Sequence, residues 1–256
     1  MGLRKDILRA VARIPVAARH RCVFCGKQVG RFLPYRGGQS DSPPLMLALG
    51  LVGSDIDNFE CPHCGAHDRE RHLLLYLEAA GLLSRMSGMR ILHFAPERHL
   101  ASRIGSLPPV EYCKGDLCPS SKDVVQINIE KIPHSDNSFD MVIANHVLEH
   151  VDDDLRALSE IRRVLQIDGL AILQTPFCST LHRTWSDSGI VTDRMRLQAY
   201  GQEDHVRLYG RDIFQRFASC GFISRTRSHH ELLPHTDAAQ LGVNPDEPFF
   251  LFERQP

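Results

Sequence analysis

The sequence predicts an α/β fold in which a mainly parallel sheet is covered by helices on both faces. From Arg90 onward, short apolar runs alternate with segments of helical periodicity, as strands and crossover helices do in parallel sheets. Before that point, two Cys-x-x-Cys pairs indicate a small separate module. We therefore expect a module with a bridging helix over residues 1–87 and an α/β domain over residues 88–256.

The composition is that of a globular protein. Of the 256 residues, 43% are hydrophobic, so the chain can bury a core without disulfides. It has no apolar run long enough to span a bilayer, and its N-terminal segment lacks the apolar stretch of a secretory signal. We therefore expect a cytoplasmic protein with no membrane partner. The sequence makes no prediction of an oligomer.

The N-terminal 18 residues predict a short amphipathic helix that lies on the protein. Leu3, Ile7, Val11 and Ile14 recur at helical spacing, with basic residues between them. Residues 1–36 carry a local charge of about +8, although the net charge of the chain is −1. Such a basic lobe either attracts phosphates or docks on an acidic surface of its own chain.

Four cysteines predict a metal centre in the front module. They are Cys22, Cys25, Cys61 and Cys64, and a glycine follows the second cysteine of each pair. Such a glycine allows a tight turn that directs both sulfurs at one ion, so the two knuckles predict a closed tetrahedral zinc site. The spacing of 35 residues between the pairs exceeds the usual about 15–20, which predicts an inserted loop around residues 40–44.

The alternatives for these cysteines are disulfides and a redox pair. A reducing compartment argues against disulfides. The strand-to-helix context of a redox Cys-x-x-Cys is also missing.

The elements of the α/β domain follow from its periodicity. Strands are predicted at 91–95, 110–114, 124–127, 141–144, 170–174, 222–227 and 249–253, the last two as a hairpin. Helices are predicted over 68–80 with Asp68 as its cap, up to Ile104, from 152 to 165, and over 211–220. The interval 176–209 has no clear strand, and we expect it to contribute to substrate recognition.

One long segment resembles a known enzyme family. Residues 132–151, continued by Glu160-Ile161-Arg162-Arg163-Val164-Leu165 and by Asp168-Gly169, resemble class I S-adenosylmethionine-dependent methyltransferases of the bacterial type 11 group. The resemblance extends more loosely over residues 88–256. It implies a Rossmann-like sheet of seven strands, the last one antiparallel, with S-adenosyl-L-methionine as cofactor. The front end, with its knuckles and Arg-x-Arg-His, is similar to a bacterial subfamily with a zinc-ribbon-like module.

The resemblance also implies a set of cofactor-binding residues at the carboxyl edge of the sheet. They are Phe94, Ala95, Pro96 and Glu97 in the loop after the first strand, Asp116 and Leu117 at the ribose, Asn128 and Ile129 at the adenine, and Asn145 and His146 at the methionine end.

The loop after the first strand departs from the family pattern. His93 stands where an acid is usual, and Ala95, Glu97 and His99 stand at glycine positions. Glu97 is chemically suited to the α-ammonium group of the cofactor. The alternative is a decayed loop that binds nothing.

Residues 200–210 concentrate Asp, His, Arg and Tyr more densely than a solvated loop normally does. We interpret His205 as the general base, Asp204 as the residue that orients it, and Arg207 as the group that holds an anionic part of the substrate. Alternatively, these side chains tie the loop to the sheet. Glu149 and His150 either belong to the site or organise the start of a helix.

The predicted function is methyl transfer to a small molecule or sugar-containing metabolite. One alternative is an RNA methyltransferase whose basic zinc module grips phosphates. A second is a non-catalytic protein that binds S-adenosylmethionine, and a third is sulfonium chemistry other than methylation.

Overall fold

The computed structural model describes residues 2–14 and 19–256. The helices are α1 (Gly2–Arg13), α2 (Pro44–Leu49), α3 (Asp68–Ala79), α4 (Leu82–Arg85), α5 (Arg98–Gly105), α6 (Asp154–Val164), α7 (Asp193–Tyr200), α8 (Ile213–Ser219), α9 (His229–Leu232) and α10 (Ala238–Leu241). The strands are β1 (His20–Arg21), β2 (Gln28–Val29), β3 (Leu51–Val52), β4 (Arg90–Phe94), β5 (Glu111–Asp116), β6 (Val125–Gln126), β7 (Phe139–Ala144), β8 (Leu165–Ile172), β9 (Phe177–Cys178), β10 (Phe222–Ser224) and β11 (Leu251–Arg254). Short 3-10 turns cover Gly38–Asp41 and Leu148–His150.

Seven strands form one sheet in the order β10-β11-β8-β7-β4-β5-β6. All neighbours from β6 to β8 are parallel, whereas β11 runs antiparallel to both β8 and β10. The predicted Rossmann-like sheet with an antiparallel last strand is therefore confirmed. Because β4, β5 and β7 are parallel, their carboxyl ends meet at one edge, where open α/β sheets bind ligands.

Strand β7 shows how the core is divided between the two faces of the sheet. Successive strand residues point to opposite faces. Val142 and Ala144 pack with apolar residues of α6 and α8. Met141 and Ile143 pack with apolar residues of α3, α4 and α5. The helix α3, which was expected to bridge the two modules, thus covers one face of the sheet, and the division at residue 87 remains a prediction.

The fifth strand begins earlier than its sequence predicts. Asp168-Gly169 was expected to form the turn before the strand, but β8 already starts at Leu165. Asp168 adopts φ 61° within it. The register shifts between the pairs Phe139–Leu165 and Met141–Leu170, so the turn residues form a bulge inside the strand.

The interval 176–209 is more ordered than its sequence predicts. It contains β9 and α7, and β9 pairs antiparallel with β3, which lies between the two cysteine knuckles. The expected inserted loop of the module therefore carries α2 and β3 and is joined to the segment after the fifth strand.

Helix α1 confirms the predicted helix, although Met1 and residues 15–18 of that prediction lie outside the described residues. Its apolar stripe does not pack on the protein as predicted: Ile7, Val11 and Ile14 are each more than half exposed. The reason is that its basic residues make the contacts, since Arg9 pairs with Glu60 and Arg13 donates to a backbone carbonyl. No helix in the described part of the chain is long and apolar enough to cross a membrane.

The start of α3 also differs from the prediction. His67, not Asp68, is the N-cap, and Glu70 accepts a hydrogen bond from the His67 backbone N–H at 3.0 Å. The carboxylate of Asp68 instead accepts the backbone N–H of Asp55. Asp68, which the sequence predicts as the helix cap, therefore holds the segment inserted between the two knuckles at Asp55.

Arg71 of α3 is the most completely buried basic side chain of the interface between the module and the domain. Its guanidinium lies 4.0 Å from the centre of the Phe32 ring, and burial lowers its pKa. All five of its N–H groups donate to backbone carbonyls, those of Asn58, Phe59, Ala66, Leu241 and Gly242. Because three of these carbonyls belong to the second knuckle region and two to the C-terminal part of the chain, Arg71 joins the two.

The turn after β4 takes the left-handed conformation at a residue that is not glycine. Ala95 has φ 45°, and its backbone N–H donates to the Gly115 carbonyl at 2.8 Å. The family pattern places a glycine here. The backbone path of the glycine is therefore kept by an alanine, at a cost of about 1 kcal/mol.

We predict that Ala95→Gly leaves the free energy of unfolding unchanged or raises it by up to about 1 kcal/mol, because relief of the left-handed strain offsets the added chain entropy. Urea unfolding followed by circular dichroism measures this. The matched control is Ala101→Gly inside α5, which should lose about 1 kcal/mol. Equal losses in the two variants would contradict the strain at Ala95.

Candidate active site and metal centre

The four cysteines of the two knuckles converge as predicted. One sulfur from each lies within 4.8 Å of the others, with Cys22 Sγ 3.7 Å from Cys64 Sγ and Cys25 Sγ 3.9 Å from Cys61 Sγ. A tetrahedral zinc ion with Zn–S bonds of 2.3 Å requires S–S edges of about 3.8 Å. The observed separations match that tetrahedron, and the four thiols are free.

The glycine after each knuckle has the role predicted for it. Gly26 (φ 68°) donates its N–H to the Cys22 carbonyl, and Gly65 (φ 82°) donates to the Cys61 carbonyl, both at 2.9 Å. The two turns are therefore equivalent, and each presents two sulfurs to the same point. This donor set fits a structural zinc ion.

At the carboxyl end of β4, the side chains of His93 and Glu97 lie next to each other. His93, which stands at the usual position of the acid, has its Nε2 3.3 Å from Glu97 Oε2 and its Nδ1 2.8 Å from the Tyr112 hydroxyl. Asn145, at the end of β7, donates its side-chain N–H to the other oxygen of Glu97. Glu97 thus lies between the ends of the two strands.

Glu97 is held as a carboxylate in this position. Burial opposes its ionisation, but the hydrogen bond from His93 and the electrostatic interactions with His93 and Arg69 together outweigh burial and lower the pKa of Glu97. Next to it, the buried Oδ1 of Asn145 has no hydrogen-bond partner among the residues described. A carboxylate and an unpartnered amide oxygen are both acceptors, as an ammonium group requires.

The remaining predicted cofactor residues lie along the same edge. Asp116 ends β5 and accepts the Cys118 backbone N–H at 2.8 Å, and the Leu117 side chain is 60% exposed beside it. Asn128 is exposed after β6 and accepts the N–H of Glu130, whereas the Ile129 side chain is buried in the core. Ile129 can therefore offer a ligand only its backbone.

His146, the next residue after Asn145, is buried between two carboxylates. Its Nδ1 lies 3.4 Å from Glu149 Oε1 and its Nε2 lies 3.2 Å from Glu247 Oε1. Burial alone would lower the pKa of His146, but these hydrogen bonds outweigh it and raise the pKa to about 9. His146 is therefore charged at neutral pH, and its backbone takes φ 55°.

A cavity of about 490 Å³ opens beside His146. One wall is the insertion between the knuckles, with residues from 35 to 56. The opposite wall comes from the sheet edge and the segment after β8, including His146, Pro176 and His205. A volume of this size is typical of small-molecule sites.

His205 lines the cavity, and one nitrogen of its ring is unprotonated. Its Nδ1 lies 3.1 Å from the Tyr200 carbonyl, which can only accept, so the ring proton is on Nδ1. Its buried Nε2 finds no partner within the described part of the chain. Burial lowers the pKa of His205, which keeps the ring neutral.

The two residues predicted to assist His205 make other contacts. Asp204 does not contact Nδ1 of His205, which is oriented by the Tyr200 carbonyl, and its carboxylate lies 3.3 Å from His150 Nδ1. Arg207 is buried and donates to the carbonyls of Leu148, Val151 and Asp152. The guanidinium of Arg207 thus ties residues 148–152 together, which is the alternative that the sequence left open.

Glu70 was not singled out in the sequence, although it borders this site. It accepts the backbone N–H groups of His99 and Leu100 at 3.1 and 3.2 Å, and its other oxygen lies 3.0 Å from His99 Nδ1. These are the first-turn N–H groups of α5. Because Glu70 lies three residues after the N-cap of α3, the sequence contained a signal that it caps its own helix. Nothing in the sequence indicated that Glu70 also caps α5.

Comparisons with known proteins agree with this topology. Residues 106–173 match the family model described as a methyltransferase domain. No curated protein sequence matches the chain.

Among solved structures, the chain is similar to an S-adenosylmethionine-dependent methyltransferase of Mesorhizobium loti (15% identity, 69% of this chain and 96% of that chain, TM-score 0.44). It is also similar to a methyltransferase of Thermotoga maritima (17% identity, 73% and 98%, TM-score 0.41) and to the [4+2]-cyclase SpnF (16% identity, 73% and 81%, TM-score 0.47).

The family match spans the second to the fifth strand of the seven-stranded sheet, and the strand order and the antiparallel last strand are those implied by the resemblance. Residues 106–173 of the chain thus match a methyltransferase domain.

Proposed function

We propose that the enzyme methylates a small polar molecule or sugar-containing metabolite bound in the cavity beside His146. The observation that carries this proposal is the position of the cavity. It opens at the end of β7, one residue from Asn145, and the insertion between the knuckles forms its outer wall. An acceptor there would lie next to the edge at which the cofactor is expected.

The cavity lining favours a small polar acceptor over RNA. Side-chain amides and carboxylates such as Gln39, Asp55 and Asn244 line it, and these groups bind hydroxyl and amine donors. Its one arginine, Arg36, is already paired through both terminal nitrogens with Glu203, at 2.6 and 2.9 Å. Among the residues that the structure describes, the lining therefore offers no unpaired arginine or lysine to a phosphate backbone.

The residues at the carboxyl edge fit the cofactor, which supplies an activated methyl group. Glu97 and the unpartnered Oδ1 of Asn145 would accept hydrogen bonds from its ammonium group. Asp116 would accept from the ribose hydroxyls, and the exposed Leu117 would pack against the base. Asn128 would bind the adenine edge. In these assignments, side-chain hydrogen-bond acceptors bind the cofactor where the family pattern has a glycine-rich loop.

His205 is the residue on which activation of the acceptor depends in this proposal. The ring lines the cavity, its Nε2 carries a free lone pair, and the Tyr200 carbonyl fixes the tautomer that leaves this lone pair free. Proximity and orientation supply much of the remaining rate enhancement, because the methyl group of a sulfonium is already reactive.

We expect His205→Ala to lower methyl transfer by at least about 100-fold while the affinity for S-adenosylmethionine changes less than about twofold. Transfer is followed with methyl-labelled cofactor and fractionated cell extract, and affinity by calorimetry. The control is His235→Ala, an exposed histidine distant in sequence from the cavity lining. Normal transfer by the His205 variant would exclude this role.

We also propose that the four knuckle cysteines bind one structural zinc ion. All four sulfurs lie within 4.8 Å of one another, and two of their separations, 3.7 and 3.9 Å, are those that zinc requires. The knuckle backbone contributes the carbonyls of Phe59 and Ala66 that surround Arg71. Binding energy of the ion would therefore stabilise the attachment of the module to the domain.

Replacing Cys61 with serine should release the zinc and lower the unfolding temperature by several degrees, because the closed thiolate set is broken. Zinc freed by a thiol-blocking reagent is counted with a chromogenic chelator, with one ion per chain expected in the unaltered protein. Cys113→Ser, outside the cluster, serves as control. Full zinc content in the Cys61 variant would contradict this ligand set.

A further inference from the structure

A second group of metal-ligating side chains lies away from the cysteines, and one of them, His205, lines the cavity. Glu149, His150 and His205 each place one ligand atom within 4.8 Å of the others. Glu149 Oε1 lies 4.0 Å from His150 Nε2. The rings of His150 and His205 meet edge to face with their centres 4.8 Å apart.

Both histidines are oriented as metal ligands usually are. His205 Nδ1–H donates to the Tyr200 carbonyl, and His150 Nδ1–H is directed at the backbone and side-chain oxygens of Asp204, each at 3.3 Å. In each ring, Nε2 is therefore the nitrogen with the free lone pair. A histidine that binds a metal generally donates its other ring N–H to a carbonyl or a carboxylate in this way.

The carboxylate of the group is also fixed in place. Glu149 is 1% exposed, and its Oε2 accepts the Thr175 hydroxyl at 3.0 Å. The other oxygen faces His146 and His150. Oε1 pairs with His146 Nδ1 at 3.4 Å and has a further lone pair that can bind a ligand.

We propose that Glu149, His150 Nε2 and His205 Nε2 bind a divalent transition-metal cation at the cavity wall. Two imidazoles and one carboxylate suit zinc, manganese, iron(II) or cobalt, in contrast to the thiolates of the knuckles. Ligand bonds of about 2.1 Å require the three side chains to close slightly from their present separations. Three protein ligands leave open coordination positions on such an ion.

This inference rests on the proposed function and states how His205 acts in it. A cation at this point would bind the acceptor oxygen and lower the pKa of an acceptor hydroxyl. The lone pair of His205 then coordinates the ion and does not accept a proton from the acceptor. Asp204 is a positioning residue, because its oxygens orient the His150 ring.

The test uses Mn²⁺ as the probe, since manganese prefers nitrogen and oxygen ligands to thiolates. The full-length protein with its zinc in place is titrated with manganese chloride, and free Mn²⁺ is measured by electron paramagnetic resonance. We expect one site per chain, weakened at least about tenfold in His150→Gln and in His205→Gln and less in Asp204→Asn. His182→Gln, an exposed histidine outside the group, should bind as the unaltered protein does.

Absence of a Mn²⁺ site in the unaltered protein, or equal binding by all four variants, overturns the proposal. Because His150 is about one third exposed, its variant should fold, and circular dichroism checks this. Cofactor affinity and methyl transfer are measured on the same samples. Transfer that persists in EDTA without a bound cation overturns the metal site alone. A bound Mn²⁺ without any transfer supports the metal site and contradicts the proposed function.

Discussion

The carboxylate of Glu70 joins α3, the helix that follows the cysteine knuckles, to the edge of the sheet where the cofactor is expected. It accepts the first-turn N–H groups of α5, whose own N-cap residue, Glu97, makes no side-chain capping bond. A carboxylate at a helix N-terminus satisfies otherwise unpaired donors and interacts favourably with the helix dipole. The loop of residues 94–97 therefore connects β4 to α5, and the N-terminus of α5 is fixed by the Glu70 side chain.

Helix α3 makes this connection rigid because adjacent residues on it have different partners. Glu70 caps α5, and Arg71 donates hydrogen bonds to five backbone carbonyls. The leucines that follow pack against one face of the sheet. The insertion between the knuckles then reaches over the sheet edge, pairs through β3 with β9 and closes the cavity. The module is thus part of the wall of the active site in the proposed function, and it can set the size of the acceptor.

Much of this arrangement was predictable from the sequence, for physical reasons that differ from element to element. The seven strands of the main sheet follow from apolar periodicity, whereas β3, β9 and α7 were not predicted. The convergence of the four cysteines follows from their spacing and from the two glycines. His205 could be singled out by its polar neighbours, but its orientation by the Tyr200 carbonyl depends on a backbone path that no side-chain pattern encodes. Likewise, Arg207 and Asp204 have the expected chemistry but different partners. The reach of Glu70 to α5 joins residues about 30 positions apart, and local periodicity carries no information about such a contact.

The central claim is that the module positions the cofactor loop through Glu70, and the affinity of the Glu70→Gln variant for S-adenosylmethionine tests it most directly. Glutamine keeps the shape of the side chain but removes the charge that caps α5. Calorimetry should find the affinity reduced about tenfold, while Glu78→Gln on the exposed side of the same helix binds as the unaltered protein does. Unchanged affinity in a folded Glu70→Gln protein would contradict the claim.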